Sequence, residues 1–407
     1  MPGRIWVIGT NICKLRIFID MENKKYSILI IALYCYSGHV QGVIDHLKAV
    51  NPLIDVTLLT DNPDDVKAIL SDKTTKIIAY DVPQVSIKWR WLRHVIIRHR
   101  QCCFFKKFHK GRRFDIVNVH FANFYMSYVY PYLRAMSNKL VITPWGSDIL
   151  RRDKKHLMRL ASLYQKADYI ATSSNTPLGK KIIEDLHIET GKLVGNFFGS
   201  DLVDYALKHR LPISIEEAKE RFGLSGRYVI TCGYNRREPQ RHKAIISAIS
   251  KVREELPENL SLLFPMQIGL ETRPDYMDEC KKECEINNLP AVFVTRFLSV
   301  EELYLLRMAT DMFIHVQTTD ASSSTIKEYV LCDKKIVHGS WIRYEDLEAF
   351  RPLFYFPVDR LEDLGEVIAK ACHSEKVVFS QGLLDYIRSG GWERKATQLN
   401  DFFQSII

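Results

Sequence analysis

Short apolar runs bounded by turn residues alternate with longer amphipathic segments along most of this 407-residue chain. This alternation is typical of βαβ units, in which helices join parallel strands. In the first half it predicts strands over 28–33, 56–59, 76–79, 116–120, 140–143 and 169–171, with helices over 42–50, 125–137 and 154–166. The sequence therefore predicts one parallel-sheet domain over residues 21–195.

A second series of the same kind follows in the other half of the chain. It predicts strands over 228–231, 260–264, 291–294, 312–316 and 335–338, and helices over 243–255, 274–287, 300–308 and 325–332. The predicted second domain covers 215–380. Segment 196–214 lacks clear periodicity and predicts an interdomain linker. The tail 381–407 predicts helices broken at Gly390-Gly391, which we expect to pack back on the first domain.

The predicted fold class is therefore α/β, with two Rossmann-like doubly wound parallel-sheet domains that face each other across a cleft. A length of 407 residues suits two domains. Doubly wound domains bind ligands at the carboxyl ends of their strands, so the cleft is the predicted ligand site. Many unrelated functions use this arrangement, and the site must decide among them.

The first residues of the chain and its cysteines indicate where in the cell the protein works. Residues 21 onward open like an α/β domain, with charges and then a buried strand, so 1–20 are predicted to be an upstream extension. The alternative, that RIWVIGTNICKL forms a strand and turn, stays open. Nine scattered cysteines without metal-ligand spacing indicate reduced thiols. No apolar run is long enough to span a bilayer. We expect a cytoplasmic protein.

The stretch TDASSSTIKE, residues 319–328, joins a predicted strand to a predicted helix. Free backbone N–H groups at such a junction suit a phosphate. Asp320 and Glu328 would repel that phosphate, so we expect them to accept hydrogen bonds from sugar hydroxyls instead, as an acidic residue does for a ribose. A second interpretation is also open, because Thr325 and Glu328 match a helix capping box.

Several motifs, in this order along the chain, resemble those of GT-B-fold glycosyltransferases like those of family 4. Asp320-x7-Glu328 resembles the acidic E-x7-E motif of that family. FDIVNVHF (114–121) resembles its strand ending in a functional His, and ITPWGSDIL (142–150) its G-x-D element. KADYIATSSN (166–175) and GNFFGSD (195–201) resemble the end of its first domain and its interdomain segment. The resemblance covers roughly residues 26–380.

The resemblance implies a set of site residues. It places His120 and Asp320 at the donor sugar and reacting centre, and Glu328 at the nucleotide ribose. A glycine-containing loop at Gly38 is implied near the phosphates or the acceptor, and Asp148 is expected either to position the acceptor or only to cap the next segment. The expected donor-binding set is Gly233, Arg236, Arg241, Lys243, Ser322, Ser323, Ser324 and Glu328.

The sequence also departs from the family pattern. The first acid is Asp where Glu is common, and the usual G-R-x-x-x-x-K-G phosphate loop is replaced by TCGYNRREPQRHKAII (231–246). Gly233 matches, but Tyr234 stands where Arg is usual. A diphosphate needs cations, and guanidinium groups suit it. We favour Arg236, Arg241 and Lys243 for this role, while a solvated basic helix start remains the alternative. For His120 the alternative is an ordinary core histidine.

The resemblance implies transfer of a sugar from a nucleotide-sugar donor to a saccharide or lipid-linked acceptor, with retention, in cell-surface polysaccharide biosynthesis. No cofactor and no metal are expected, because GT-B enzymes generally stabilise the leaving diphosphate with positive side chains and helix dipoles. Two alternatives stay open. One is a GT-B-fold nucleotide-sugar epimerase, and the other is a noncatalytic membrane-bound partner of a glycosyltransferase.

The stretch KWRWLRHVIIRHRQCCFFKKFHKGRR, residues 88–113, holds ten Lys or Arg and no Asp or Glu, whereas the whole chain carries only +9. Trp89, Leu92, Ile96 and Cys103 recur at nearly helical spacing among these cations. Such a segment can bind an anionic membrane surface, so we expect a peripheral protein at the inner face of the membrane. An ordinary packed helix with a solvated basic face is the alternative. Nucleic acid is not the expected partner, because no known nucleic-acid motif accompanies the stretch.

Overall fold

The computed structural model of this chain describes residues 23–33, 37–82, 86, 88–208, 213–267, 273–320, 324–344, 347, 355–375 and 377–407. The predicted upstream extension over 1–20 lies outside these residues. So do Ser322 and Ser323 of the expected donor-binding set.

The first half of the chain forms a six-stranded sheet, all parallel, in the order β3-β2-β1-β4-β5-β6. Its strands are β1 (Ser27–Ala32), β2 (Asp55–Thr60), β3 (Lys76–Ala79), β4 (Phe114–His120), β5 (Ser137–Thr143) and β6 (Tyr169–Ile170). The helices are α1 (Ser37–Val50), α2 (Pro63–Ile69), α3 (Arg90–Phe108), α4 (Met126–Ala135), α5 (Ser147–Leu150), α6 (Lys154–Lys166) and α7 (Pro177–Leu186).

The second half repeats this topology, with six parallel strands in the order β12-β11-β10-β7-β8-β9. Its strands are β7 (Tyr228–Cys232), β8 (Leu260–Pro265), β9 (Ala291–Val294), β10 (Met312–His315), β11 (Lys335–Gly339) and β12 (Phe356–Val358). The helices from the connecting segment onward are α8 (Asp201–Lys208), α9 (Ile215–Glu220), α10 (His242–Lys251), α11 (Tyr276–Ile286), α12 (Val300–Ala309), α13 (Ser324–Leu331), α14 (Leu364–His373), α15 (Gln381–Arg388) and α16 (Trp392–Ile406). Both sheets have the strand order of a doubly wound nucleotide-binding domain, which confirms the predicted fold class.

The strands appear as unbroken apolar runs because helices cover both faces of each sheet. Along β1, residues Ile28 to Ala32 are all buried, and Ile28 lies between Val56 of β2 and Ile116 of β4. One large core of the first half contains Leu29, and another on the opposite face contains Ile28. The two faces are therefore both fully packed, and only the strand ends are left to form a site.

Helix starts follow the capping signals in the sequence. The side chain of Asp153 accepts a hydrogen bond from the backbone N–H of His156, so α6 begins at the predicted residue. Thr176 caps α7 in the same way, with Pro177 in its first turn. Local side-chain bonds of this kind satisfy backbone donors that the helix itself leaves unpaired. They explain why several helix boundaries are readable from the sequence.

The segment predicted to be an irregular linker contains helix α8. Its Leu202 and Val203 are buried, and the helix contacts α12 and α13 of the second half. The turn residues that flank α8 hide its short periodicity. β12 is likewise absent from the predicted strands, because three residues are too few to show a pattern.

The C-terminal tail returns to the first half of the chain. Helix α16 packs along α1, and its Trp392 and Phe403 join the core that contains Ile28. Trp392 stacks on His46 with ring centroids 5.2 Å apart. Beside it, Ser200 forms a parallel bridge with Gly391, so the two segments that pass between the sheets lie side by side.

Candidate functional site

The carboxyl ends of both sheets meet, and this places the candidate site between them. Arg151, just after α5, donates from Nε to Thr319 Oγ1, which follows β10, over 3.3 Å. The loops after β5 and β10 therefore touch each other. Arg151 was not among the predicted site residues, although it opens the basic run RRDKK at residues 151–155.

His120 is the last residue of β4 and is only 2% exposed. Trp145 donates from its indole Nε1 to His120 Nδ1 over 3.3 Å, so the ring proton lies on Nε2. Burial, followed by the nearby His39, lowers the pKa of His120 to about 3, and the ring is neutral at pH 7. Nε2 has no hydrogen-bond partner among the described residues. His120 thus offers a buried, oriented N–H donor.

Aromatic rings surround His120. Trp145 lies edge-on to His120, with centroids 6.2 Å apart, and also contacts Phe121 and Phe198. Phe121 has a φ of 50°, a left-handed conformation that is uncommon for a bulky residue. Strained backbone of this kind clusters at functional sites, where surrounding contacts hold it in place. The end of β4 therefore places the Nε2–H donor of His120 among the aromatic rings of Trp145 and Phe198.

Asp148 organises the loop that carries Trp145. It lies in the first turn of α5, is 2% exposed, and its Oδ1 accepts from the Trp145 backbone N–H over 3.0 Å. Gly146 permits the turn between them, with a φ of 100°. Burial raises the pKa of Asp148 to about 6, although backbone hydrogen bonds oppose the shift. Asp148 is therefore not the N-cap of α5, which is Gly146, and its carboxylate bonds the loop that precedes the helix. Contact with the acceptor remains a prediction.

Gly38 lies in the first turn of α1, directly after the carboxyl end of β1. The helix begins at Ser37, and most of the preceding loop lies outside the described residues. Gly38 is therefore at the sheet edge that the resemblance implied, while its contact with phosphate or acceptor stays a prediction.

Gly233 makes the turn after β7, with a φ of 63°. A side chain at this position would meet Gln240 and His242, because a Cβ would lie 2.8 Å from Gln240 Oε1 and 2.9 Å from His242 Nε2. Only glycine fits both the backbone and the space. His242 belongs to the basic stretch of this loop, but it is buried, and burial lowers its pKa to about 3. It is therefore not one of the cations.

The three cations favoured for a diphosphate lie in different surroundings. Arg236 is buried and donates to the backbone oxygen of Pro274. Lys243 is exposed on the surface, where its Nζ lies 3.3 Å from Glu279. Arg241 is the N-cap of α10, lies 5.0 Å over the ring of Trp341, and donates to the oxygen of Val316 at the end of β10. Arg241 alone of the three contacts the segment that leads to Asp320.

Asp320 sits in the loop after β10 with 13% of its side chain exposed. Tyr344 donates from its hydroxyl to Asp320 Oδ2 over 2.7 Å, and His315 Nε2 lies 3.4 Å from the same oxygen. Ser324, the first residue of α13, is exposed. The structure thus brings Asp320 together with two side chains from β10 and from the loop after β11. Histidines at strand ends were the sequence signal that could have identified His315.

Glu328 lies in the middle of α13 and is buried. Its Oε2 accepts from Arg307 Nε and Nη2 over 3.2 and 3.0 Å, and its Oε1 accepts from the Ser200 hydroxyl over 3.0 Å. The capping-box interpretation with Thr325 is wrong, because α13 begins before Thr325 and the carboxylate faces Arg307. Binding to a ribose remains a prediction, and a ribose would share this carboxylate with Arg307 and Ser200.

Within the described part of the chain, no group of three or more His, Cys, Asp or Glu side chains could hold a metal ion. A search of the same residues for a helix long and apolar enough to cross a membrane found none.

Comparisons with known proteins show the fold of this chain. No protein-family model matches it, and no curated protein sequence matches it. Among solved structures, Anabaena HepE in complex with UDP and glucose is similar over 94% of this chain and 97% of its own, with 14% identity and a TM-score of 0.63. A glycosyltransferase from Rickettsia africae is similar over 94% and 98%, with 15% identity and a TM-score of 0.65.

A third similar structure is sucrose-phosphate synthase from Thermosynechococcus elongatus. It covers 94% of this chain and 99% of its own, with 13% identity and a TM-score of 0.68. These likenesses span almost the whole of each protein, so the chain has the GT-B fold: two Rossmann-like domains with the cleft between them. They do not single out family 4.

Proposed function

We propose that this protein is a glycosyltransferase that moves a sugar from a nucleotide-sugar donor to a saccharide or lipid-linked acceptor. The observation that carries the proposal is the buried Nε2–H of His120, which has no hydrogen-bond partner among the described residues and lies at the edge where the two sheets meet. A buried donor without a partner is costly, and a sugar hydroxyl in the cleft would satisfy it. The neutral ring donates a hydrogen bond and does not act as a general acid.

The donor belongs on the second sheet. Asp320 would accept a hydrogen bond from a sugar hydroxyl, since its carboxylate is partly exposed beside the loop contact at Thr319. Arg241 and the N-terminus of α10 would bind the diphosphate, because a guanidinium and free helix N–H groups both favour anions. That HepE was crystallised with UDP and glucose supports a nucleotide-sugar donor here. Retention and a role in cell-surface polysaccharide assembly complete the proposal.

A test of the donor site uses four nucleotide sugars: UDP-glucose, UDP-galactose, UDP-N-acetylglucosamine and GDP-mannose. We expect one of them to raise the melting temperature, since a ligand at a hundred times its Kd stabilises by about 2.7 kcal/mol. Release of free nucleotide only when an acceptor is present would support transfer. Interconversion of the sugar without an acceptor would indicate the epimerase, and absence of both reactions would indicate the noncatalytic partner.

The role of His120 is tested with His120→Asn. The asparagine amide oxygen can still accept from Trp145, but the Nε2–H is gone. We expect turnover to fall at least tenfold while the free energy of unfolding stays within about 1 kcal/mol of wild type. The control is His373→Asn, a change of the same kind at a ring that bonds the oxygen of Glu255. Wild-type turnover of His120→Asn would contradict the proposed role.

The diphosphate contact is tested with Arg241→Gln and Lys243→Gln. We expect Arg241→Gln to weaken binding of the nucleoside diphosphate far more than binding of the bare nucleoside. Lys243→Gln should change both little, because its Nζ pairs with Glu279 on the surface. Equal losses for the two ligands in Arg241→Gln would show that Arg241 contacts another part of the donor.

We also propose that α3 binds an anionic membrane surface. At its N-terminal end Trp89, Trp91 and Val95 are 66%, 65% and 55% exposed. Leu92 and Ile96, which belong to the predicted apolar face of this helix, are half-buried. The exposed apolar face is therefore the one formed by Trp89, Trp91 and Val95, and it differs in part from the predicted face. Exposed aromatic side chains beside cations suit a lipid interface, where each cation contributes about 1 kcal/mol.

The position of α3 connects this surface to the cleft. His94 of α3 contacts Tyr125 and Phe124, which follow His120 in the chain. A membrane under Trp89 and Trp91 would therefore lie beside the end of β4, where a lipid-linked acceptor has to enter.

Membrane binding is tested by sedimentation with anionic and neutral vesicles. Arg93, Arg100, Lys106 and Lys107 are changed to Gln, while Arg98 is kept because its guanidinium lies 4.1 Å over Tyr128. We expect this variant to bind anionic vesicles more weakly than the wild type does. Added salt should weaken the binding of the wild type more than that of the variant. The control changes Lys251, Lys282, Lys370 and Arg394 to Gln, the same charge away from α3. Equal sedimentation of both variants would favour a solvated helix face.

A further inference from the structure

Arg151 belongs to the same loop as the residue that orients His120. This loop follows β5, contains Trp145, whose indole bonds His120, and ends with Arg151 directly after α5. Ile149 of α5 is fully buried, and its backbone N–H donates to the Gly146 oxygen over 3.0 Å. The loop is therefore anchored in the core of the first half, and the backbone of Arg151 has a fixed position relative to His120.

The guanidinium group of Arg151 has most of its donors available. The side chain is exposed, and its Nε donates to Thr319 Oγ1 of the second half over 3.3 Å. Its two terminal nitrogens have no hydrogen-bond or ion-pair partner among the described residues. These nitrogens carry all but one of the N–H groups of a guanidinium. A guanidinium with free terminal nitrogens suits a phosphate, because its planar fork can bind two phosphate oxygens at once.

The charge of Arg151 also reaches the turn after β7, where Tyr234 follows Gly233. Burial, followed by Asp320, raises the pKa of Tyr234, whereas hydrogen bonds and the charge of Arg151 oppose the shift. The raised pKa keeps the Tyr234 hydroxyl neutral at pH 7, so this residue brings no charge of its own to the turn. Arg151 therefore adds positive charge from the first half to the edge of the second sheet.

Arg241 contacts the same loop of the second half as Arg151 does. It donates from Nη1 to the oxygen of Val316 over 3.4 Å, whereas Arg151 donates to Thr319. An extended chain spans at most about 3.6 Å per residue, so Val316 and Thr319 lie within roughly 11 Å of each other. An extended nucleotide sugar is longer than this distance. One donor molecule can therefore contact both guanidinium groups.

We propose that Arg151 contacts the phosphate that carries the sugar, here called the sugar-side phosphate, while Arg241 and the start of α10 bind the phosphate next to the nucleoside. The proposal rests on the proposed function for the identity of the donor. This order follows from the loop after β5, because the same loop orients His120, to which we assigned a sugar hydroxyl. The diphosphate site is then built from both halves of the chain.

The two phosphates are separated by comparing a nucleoside diphosphate with its monophosphate, because only the diphosphate has a sugar-side phosphate. Calorimetric titration uses UDP and UMP, or GDP and GMP if GDP-mannose is the donor that binds. We expect Arg151→Gln to bind the diphosphate at least tenfold more weakly than wild type, and the monophosphate equally well. Arg151→Lys keeps the charge but not the planar fork, so its affinity for the diphosphate should lie between the two.

Two control variants separate phosphate binding from a purely structural contact between the halves. Thr319→Val removes the hydroxyl that accepts from Arg151 but keeps the guanidinium, so it should bind both nucleotides like wild type. Arg152→Gln removes the adjacent exposed cation and should also bind both like wild type. Retained binding of the monophosphate by Arg151→Gln shows that this variant is folded.

Several results would overturn the proposal. One is an equal loss of diphosphate affinity in Thr319→Val and Arg151→Gln, which would assign Arg151 to the contact between the halves. Another is an equal loss for diphosphate and monophosphate in Arg151→Gln. Unchanged affinity for both nucleotides, with a raised KM for the acceptor, would place Arg151 at the acceptor instead. In these three cases the proposed function stands, whereas wild-type protein that binds none of the nucleotides or nucleotide sugars would refute the proposed function and this contact together.

Discussion

The ion pair between Glu328 and Arg307 gives a prediction that separates a structural role from ribose binding. Both side chains are less than a tenth exposed, and the shortest contact between them is 3.0 Å. Arg307 also lies 4.7 Å over the ring of Tyr329 and donates to its hydroxyl. Two unit charges about 3 Å apart attract by about 5 kcal/mol at an effective dielectric constant of about 20. Desolvation of both groups offsets much of that attraction.

Removing one partner leaves a buried charge alone. We therefore expect Glu328→Leu to lower the free energy of unfolding by about 3–5 kcal/mol, and Arg307→Leu to do likewise. The double variant should cost clearly less than the sum, because neither charge is then buried unpaired. Urea unfolding of the four proteins measures this coupling. As the control, Asp363→Leu removes a partner of the exposed Arg360 and should change stability little.

The same variants decide the ribose prediction. If Glu328 binds the donor ribose, the folded Glu328→Leu protein should bind nucleotide sugar more weakly than the wild type. The double variant with Arg307→Leu should bind it as weakly, even where its stability is partly recovered. A cost below about 1 kcal/mol for Glu328→Leu would refute the ion-pair reasoning. Unchanged donor affinity in the folded variant would refute the ribose assignment, whatever the stability.

Three further predictions concern pH, the Gly233 turn and metal. His120, His242 and His338 have pKa values lowered to about 3, so the unfolded chain binds protons below about pH 6.5 that the folded chain does not. The free energy of unfolding should therefore be highest above that pH and fall by about 1 kcal/mol per histidine at pH 5.5. The raised pKa of Asp148 offsets part of this loss, because the folded chain then binds a proton that the unfolded chain does not. An unchanged urea midpoint between pH 7.5 and 5.5 would contradict this prediction. Gly233→Ala should lower the free energy of unfolding in urea by about 1–3 kcal/mol, because the φ of this residue is 63° and Gln240 blocks a Cβ. Gly223→Ala is the control and should cost less, because Gly223 has a φ of 68° but open space around it. EDTA should leave turnover unchanged, and loss of turnover that Mg²⁺ or Mn²⁺ restores would contradict a metal-free reaction.

Much of the fold could be read from the sequence. Strands β3 and β9 have the predicted bounds because each is a short apolar run between turn residues, and such a run is visible in the sequence even though both strands lie at a sheet edge and are only partly buried. Helix α6 also has its predicted bounds, because its cap and its apolar spacing are local. Periodicity and capping report on the environment of a residue within its own element. That information is sufficient to order the elements into two βα series, and it also pointed to the strand ends as the site.

The tertiary structure alone decided which side chains meet at those ends. Ser200 and Glu328 are 128 residues apart in the chain, and Arg151 and Thr319 are 168 apart. No local pattern marks such partners, because a hydrogen bond between distant segments depends on how the two sheets are placed. The sequence could name His120 and Asp320 as polar residues at predicted strand ends, and Glu328 by its spacing from Asp320. Only the packing showed that Glu328 is paired with Arg307 and that His120 Nε2 has no hydrogen-bond partner among the described residues.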